Sequence, residues 1–214
     1  MTLNLSVDQV LTTTRSVRKR LDLDTPVPRE VLTECLTLAL QAPTGSNAQG
    51  WQWVFVEDAD KKKALADIYL ANARGYLSLP PPHYPEGDTR GERMDRVRES
   101  ATYLAEHMHE VPVLMIPCLQ GRVEQAPQLS ASFWASLFPA VWSFCLALRS
   151  RGLGSCWTTL HLFGDGEKQA AAVLGIPYDE YSQGGLFPIA YTKGTDFRPA
   201  KRLPVEAVTH WNSW

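Results

Sequence analysis

Apolar positions recur along the chain at two periods, and each switch between them marks a new element. Ser6 opens the first segment with Gln9 three residues on, a capping-box pattern, and Val7, Val10 and Leu11 form an apolar stripe behind it. A second helix is predicted from near Pro28, a residue suited to a first helical turn. Val31, Cys35 and Ala39 on one stripe and Leu32, Leu36 and Leu40 on the next give it a broad buried face, and Pro43 and Gly45 stop it. Trp51 to Val56 is aromatic and β-branched and reads as a strand, and Asp58 to Leu77 is helical again. The run from Pro80 to Asp88, with Pro80, Pro81 and Pro82 in succession, cannot continue a helix and is expected as a surface excursion.

Helical character returns from Arg93 to His109, rich in charge. Val111 to Leu119 is almost continuously apolar, as a strand covered on both faces should be, with Pro112 and Pro117 expected at its ends. Leu129 to Arg151 is the most apolar helical stretch, predicted as one helix kinked at Pro139 and ended by Gly152 and Gly154. A short strand is expected from Ser155 to Leu160, a helix from Asp165 to Leu174 stopped by Gly175 and Pro177, and a last strand from Gly184 to Tyr191. The tail carries prolines and charges and ends in Trp211 and Trp214. No repeat and no linker divides the pattern, so a single mixed α+β domain over 1–214 is predicted.

Composition sharpens this in a few places. With 44% hydrophobic and 21% charged residues the chain is ordinary globular material, not a disordered one. A formal charge of −2 argues against a nucleic-acid or anionic-membrane binder that relies on bulk basicity. The start lacks an apolar signal core, and no apolar run is expected to reach the ~18 residues of a membrane span, so a soluble cytoplasmic protein is anticipated. Cys35, Cys118, Cys145 and Cys156 are widely spaced, with no C-x-x-C pair and no histidine cluster at zinc spacing, so free cysteines and no metal are expected. The two terminal tryptophans each offer roughly 150–250 Å² of surface, and they have two possible homes, their own subunit or a second one.

No triad, Walker loop, H-E-x-x-H motif or spaced carboxylate pair stands out. Three segments nevertheless hold unusual chemistry. Arg15-Ser16-Val17-Arg18 places two guanidinium groups and a hydroxyl where they can converge on one phosphate or carbonyl-rich ligand, although taken alone it reads first as a solvated basic run at a helix C-terminus. Ala42 to Trp51 combines small residues with the donors and acceptors of Thr44, Ser46, Asn47 and Gln49, and by composition is simply a loop. Gly152 to Thr159 joins the end of the greasy helix to a hydroxyl-rich run containing Trp157, Thr158 and Thr159.

Taken in order, these segments resemble the FMN-dependent nitroreductase family. That family has an Arg-Ser-x-Arg element after its first helix, matched at Arg15 to Arg18, and an Ala-Pro-Ser-x-x-Asn-x-Gln-Pro-Trp loop, matched at Ala42 to Trp51. It has a Gly-Leu-Gly turn, here Gly152 to Gly154, then Leu-Gly-Ile-Pro at Leu174 to Pro177 and a Pro-Ile-Ala-Tyr strand at Pro188 to Tyr191. A basic residue before Leu-Pro-x-Glu is matched by Arg202 to Glu206, so the likeness covers nearly the whole chain.

The resemblance implies an α/β/α sandwich with a mostly antiparallel central sheet, dimeric, with exchange of the C-terminal tail from about 203 to 214. It implies FMN as cofactor, NAD(P)H as diffusible reductant and a small-molecule electron acceptor such as a nitroaromatic or quinone. A flavin-sequestering or sensing protein, and specialised relatives that perform reductive dehalogenation or flavin destruction, remain open. Reduced deazaflavin as the donor remains open too. By the same likeness Arg18 would touch the flavin's pyrimidine side with Ser16 in support, and Arg15, Lys201 and Arg202 would hold the phosphate. Val17 completes that element, Trp157, Thr158 and Thr159 would lie against the ring, and Pro43, Thr44, Ser46, Asn47 and Gln49 would reach in from the other subunit. The stretch from about 78 to 98 would serve as a lid. Thr14 stands where many relatives carry an arginine, Thr44 replaces a serine, Gly50 replaces a proline and Arg20 stands where an aromatic is common.

Overall fold

A computed structural model of the chain describes residues 2–80, 82–85, 88 and 90–214. The capping box forms as read: Ser6 Oγ accepts from Gln9 N–H and the Gln9 side chain accepts from Ser6 N–H, starting α1 (Val7–Thr13). Next come α2 (Arg29–Ala39), β1 (Trp51–Val56), α3 (Ala59–Ser78), α4 (Met94–His107) and β2 (Val113–Gln120). The second half holds α5 (Ser130–Ala135), α6 (Phe138–Ser150), β3 (Leu153–Ser155), α7 (Gly166–Leu174), β4 (Tyr181–Gln183) and β5 (Phe187–Tyr191). Gly175 caps α7 in the left-handed region at φ 72°, the conformation that suits glycine as a helix stop.

The sheet runs β1-β2-β5-β3, with β4 paired to β2, and each of these ladders is antiparallel. Side-chain parity along β2 divides the interior. Leu114, Ile116 and Cys118 join one core with Leu65, Tyr69 and Leu104 from α3 and α4. Val113, Met115 and Leu119 join the other with Leu32, Cys35, Val141 and Phe144 from α2 and α6. Helices therefore cover both faces of an open antiparallel sheet, the three-layer arrangement that the resemblance implies. A fully buried aliphatic side chain here contributes about 1.5–3 kcal/mol, which is why β2, apolar at every position but its last, occupies the centre.

Several local expectations change. Pro117 lies inside β2 rather than at its end, opposite Trp53 of β1. On its other side β5 pairs with 113–115 and β4 with 118–120, so Pro117 falls between ladders where no bond needs the N–H it lacks. The single kinked helix is two helices broken at Ser136–Leu137, because Pro139 sits in the first turn of α6, where a missing N–H costs nothing.

The stretch 127–150 also overturns the expectation about apolar length. Its serines interrupt a strict apolar run, yet its hydropathy stays high enough, over a sufficient length, to pass as a candidate span. Here it is divided between α5 and α6, and α6 packs on α2 and β3. The strand expected from Ser155 to Leu160 is instead Leu153–Ser155, since the ladder with β5 ends at Ser155 opposite Ile189. Trp157 then turns inward and donates Nε1–H to the Gly184 carbonyl at 3.0 Å. The strand read from Gly184 begins at Phe187, and β4 precedes it as a separate short strand. Of the proline excursion, Pro81, Glu86 and Gly87 lie outside the described residues. The four cysteines are free, and among the described residues no cluster of ligating side chains could hold a metal.

Candidate active site

The Arg-Ser-x-Arg segment leaves α1 and is pinned to β3. Val17 N–H donates to the Ser155 carbonyl at 2.8 Å, and Ser16 forms a parallel bridge with Ser155. The approach is close because residue 154 is glycine: a Cβ there would stand 2.9 Å from Val17 Cγ2 and 2.7 Å from Thr192 Cγ2. Val17 is buried in the core, while its neighbour Ser16 is exposed. The side chain of Val17 is therefore a wedge that sets the segment's position, and Ser16, Arg15 and Arg18 carry its chemistry.

Two depressions flank this segment. A cleft of about 520 Å³ lies between α3 and α4, lined on its polar side by Arg18, Thr158 and Thr159 with Trp157. Its apolar wall comes from Tyr76, Leu77, Leu79, Val97 and Phe163, and Pro80, Pro82 and Met94 place the flanks of the excursion at its mouth. Within it Thr158 Oγ1 donates to Tyr69 Oη at 3.2 Å, and Arg18 Nη1 lies 3.5 Å from Ser100 Oγ. Burial pushes the Tyr69 phenol up, against the opposing pull of the Thr158 hydrogen bond and the Arg18 charge, so it is neutral near pH 7. Burial likewise raises the Cys156 thiol despite Arg18 and Ser16 beside it, which leaves it inert rather than nucleophilic.

Beside the cleft, cations gather. Arg15 Nη1 donates to the Arg198 carbonyl at 2.8 Å, and its pKa is lowered first by burial and then by the charges of Arg202 and Arg93. Guanidinium groups from the first helix's exit, the tail and the start of α4 thus lie within electrostatic reach of Arg15. Among the described residues Arg202 bonds only to the neighbouring Lys201 carbonyl, and Lys201 sits 3.7 Å from Glu92. Such a cluster suits a dianionic group.

The Pro43 to Gln49 loop stands apart. Among the described residues none of Pro43, Thr44, Ser46, Asn47 or Gln49 lines the cleft. The loop is anchored by Gly45 N–H on Ser136 Oγ at 3.0 Å and by Gln49 N–H on Thr44 Oγ1 at 3.2 Å. Ser46, Asn47 and Gln49 all have positive φ, a local strain that such loops hold where function demands it.

Sequence reasoning missed Tyr69, Arg93 and Ser100. Tyr69 and Ser100 look like ordinary helical positions, and only the packing of α3 and α4 across the sheet edge brings them to Arg18 and Thr158. Arg93 carried a faint signal as the basic residue closing the proline excursion.

Comparison with known proteins shows the family and the fold. A Thermus thermophilus protein named NADH dehydrogenase is 27% identical over 212 residues, covering 92% of this chain and 91% of that protein. The structure of the FMN- and NADPH-dependent nitroreductase NfnB from Sphigopyxis sp. strain HMH superposes with a TM-score of 0.69 at 25% identity, covering 98% and 100% of the two chains. An iodotyrosine deiodinase bound to FMN and 3-iodo-L-tyrosine shares the fold at a TM-score of 0.72 and 22% identity, over 98% and 100% of the chains. The sequence profile of the nitroreductase family matches residues 11–191, so this chain belongs to the nitroreductase family.

Proposed function

We propose that this protein is a homodimeric FMN-dependent oxidoreductase that takes hydride from NAD(P)H and delivers it to a nitroaromatic, quinone or similar small electrophile in ping-pong order. The observation that carries this reading is the guanidinium cluster of Arg15, Arg202 and Arg93 beside a cleft floored by Thr158 and Thr159. A phosphomonoester brings about −1.5 to −2 charges near neutral pH, and each charge-assisted hydrogen bond to it contributes about 1.5–3 kcal/mol. Arg15 and Arg202, with Lys201 in reach and Ser16 offering its hydroxyl, are the groups that would hold it. This assignment also supplies the charge absent at Thr14.

FMN, when bound, supplies the two-electron carrier between reductant and acceptor. The chain's own residues position and polarise. Arg18, which lines the cleft, would present a positive charge to the reduced ring and stabilise its anionic form. Thr158 is held by Tyr69, which fixes the hydroxyl-bearing floor. The wall of Tyr76, Leu79, Val97 and Phe163 offers a planar apolar acceptor an apolar face that is about half exposed in the single chain, and the flanking excursion would serve as the lid.

The dimer rests on apolar surface that one copy leaves in water. Val7 and Leu11 of α1, Leu38 of α2 and Trp142 of α6 are exposed on helices that pack against one another. In the tail Trp211 is 84% exposed and Trp214 wholly so. A second copy would cover both regions and bring the Thr44 to Gln49 loop to the flavin of its partner.

The test begins with an absorbance spectrum of the purified protein, then anaerobic mixing with NADPH or NADH and reoxidation by menadione. A yellow band that bleaches and returns is expected. Protein that takes up no FMN refutes the reading, and a band that never bleaches makes the protein a flavin carrier instead.

A further inference from the structure

Arg149 near the end of α6 is 5% exposed, and no carboxylate pairs with it among the described residues. Its Nε–H donates to Thr13 Oγ1 at 3.1 Å and its Nη2–H to the Thr195 carbonyl at 3.0 Å, while its guanidinium stacks 5.0 Å from the centre of the Phe197 ring. These are neutral partners. They satisfy donors without compensating the charge, and burial in such surroundings costs far more than at a surface.

Two polar atoms in this region have no protein partner, Arg149 Nη1 and Ser155 Oγ. Both residues line one small cavity of about 50 Å³, together with Thr13, Arg15, Ser16 and Phe197. A void needs roughly 10–15 Å³ on this measure to hold one water molecule, so there is room for an ion or a few waters. Water could take up the two stray hydrogen-bonding atoms but not the charge. A charged neighbour makes matters worse: Arg20 lies on the same Phe197 ring, 4.2 Å from its centre, and burial followed by the Arg20 charge lowers the Arg149 pKa. Arg20 itself is served by Asp196, whereas Arg149 has no such partner.

We infer that this cavity is a binding site for a small monovalent anion of the halide class, held by Arg149 Nη1–H and the Ser155 hydroxyl behind the Arg-Ser-x-Arg segment. The anion would neutralise the buried guanidinium and fix β3 against α1 through Thr13. It would be a different ligand from the proposed phosphate, although Arg15 and Ser16, assigned to that phosphate, also line the cavity, and the FMN-saturated arm of the test separates the two.

Bromide is the probe, applied to the protein both FMN-saturated and flavin-free. At constant ionic strength with gluconate as the replaced anion, the melting temperature is expected to rise and saturate. A rise of about 2–4 °C is expected once bromide stands roughly five times above its dissociation constant. Arg149→Met and Ser155→Ala should each lose the saturable part. Should Arg149→Met fail to fold, a bromide-soaked crystal of the unaltered protein gives the answer, with an anomalous peak expected in hydrogen-bond reach of Nη1. Water alone in the cavity, a response that never saturates, or one that FMN abolishes overturns the inference. Protein that binds bromide but no FMN would refute the flavin reading and leave this one standing.

Discussion

Gly154→Ala tests how the fold positions the site. The added Cβ would meet Thr192 Cγ2 at 2.7 Å, Val17 Cγ2 at 2.9 Å and Val17 Cβ at 3.0 Å. Comfortable carbon contacts are about 3.5–4.0 Å, so roughly 1 Å must open between β3 and the segment carrying Ser16 and Arg18. Both flanking groups are β-branched and stiff, which leaves backbone movement as the main relief. Overpacking of this kind costs about 1–3 kcal/mol, and for a chain of this size that lowers Tm by about 2–12 °C. Because Val17 N–H is tied to the Ser155 carbonyl, the movement carries the neighbouring Ser16 and Arg18 with it. The loss of one charge-assisted contact would weaken FMN by about tenfold or more.

Gly152→Ala is the control. Its φ of +75° makes alanine strained by about 1 kcal/mol, but no atom lies within 4 Å of the new Cβ, so the site should keep its geometry. Flavin fluorescence titration alongside thermal melts separates the two effects. Equal FMN affinity in both variants would refute the claim that close approach at Gly154 sets the binding segment.

Arg202→Ala should weaken FMN binding by about 10-fold to 100-fold, and Arg20→Ala by much less, since Arg20 is engaged by Asp196 and Phe197. Equal affinity in a fluorescence titration would count against the phosphate assignment. His161 is fully buried and burial holds its imidazole down to about 4, with the Gln183 hydrogen bond acting in the opposite sense. In the unfolded chain it returns to about 6.5, so its contribution is intact above that pH and is lost on acidification through the interval. The loss approaches about 3 kcal/mol near pH 4, and urea melts at pH 7 and pH 4.5 should show a steeper decline for the natural protein than for His161→Leu. Parallel declines would show that His161 does not titrate as described. Removing residues 203–214 takes away the exposed Trp211 and Trp214 and should shift the protein toward monomer with loss of flavin, as read by light scattering. An unchanged dimer with full flavin content would exclude tail exchange.

Elements with strong local signals were legible in the chain. The Ser6–Gln9 capping box, the aromatic strand at Trp51 to Val56 and the glycine stop at Gly175 are each specified by neighbouring residues, and each formed where read. The three chemical segments were equally visible, because glycines, arginines and hydroxyls at close spacing are local features. What the chain alone did not specify depends on partners distant in sequence. Pro117 reads as a strand end until β4 and β5 divide the edge beside it, and the run after Ser155 reads as a strand until β5 leaves it without a ladder. Tyr69, Arg93 and Ser100 gained meaning only when α3 and α4 folded over the sheet onto Thr158, Arg15 and Arg18. Local patterning determined where most helices form and where arginines and hydroxyls gather along the chain. Tertiary packing decided which charges meet and which, like Arg149, are buried unpaired, because electrostatic partnership depends on distance in space rather than separation along the chain.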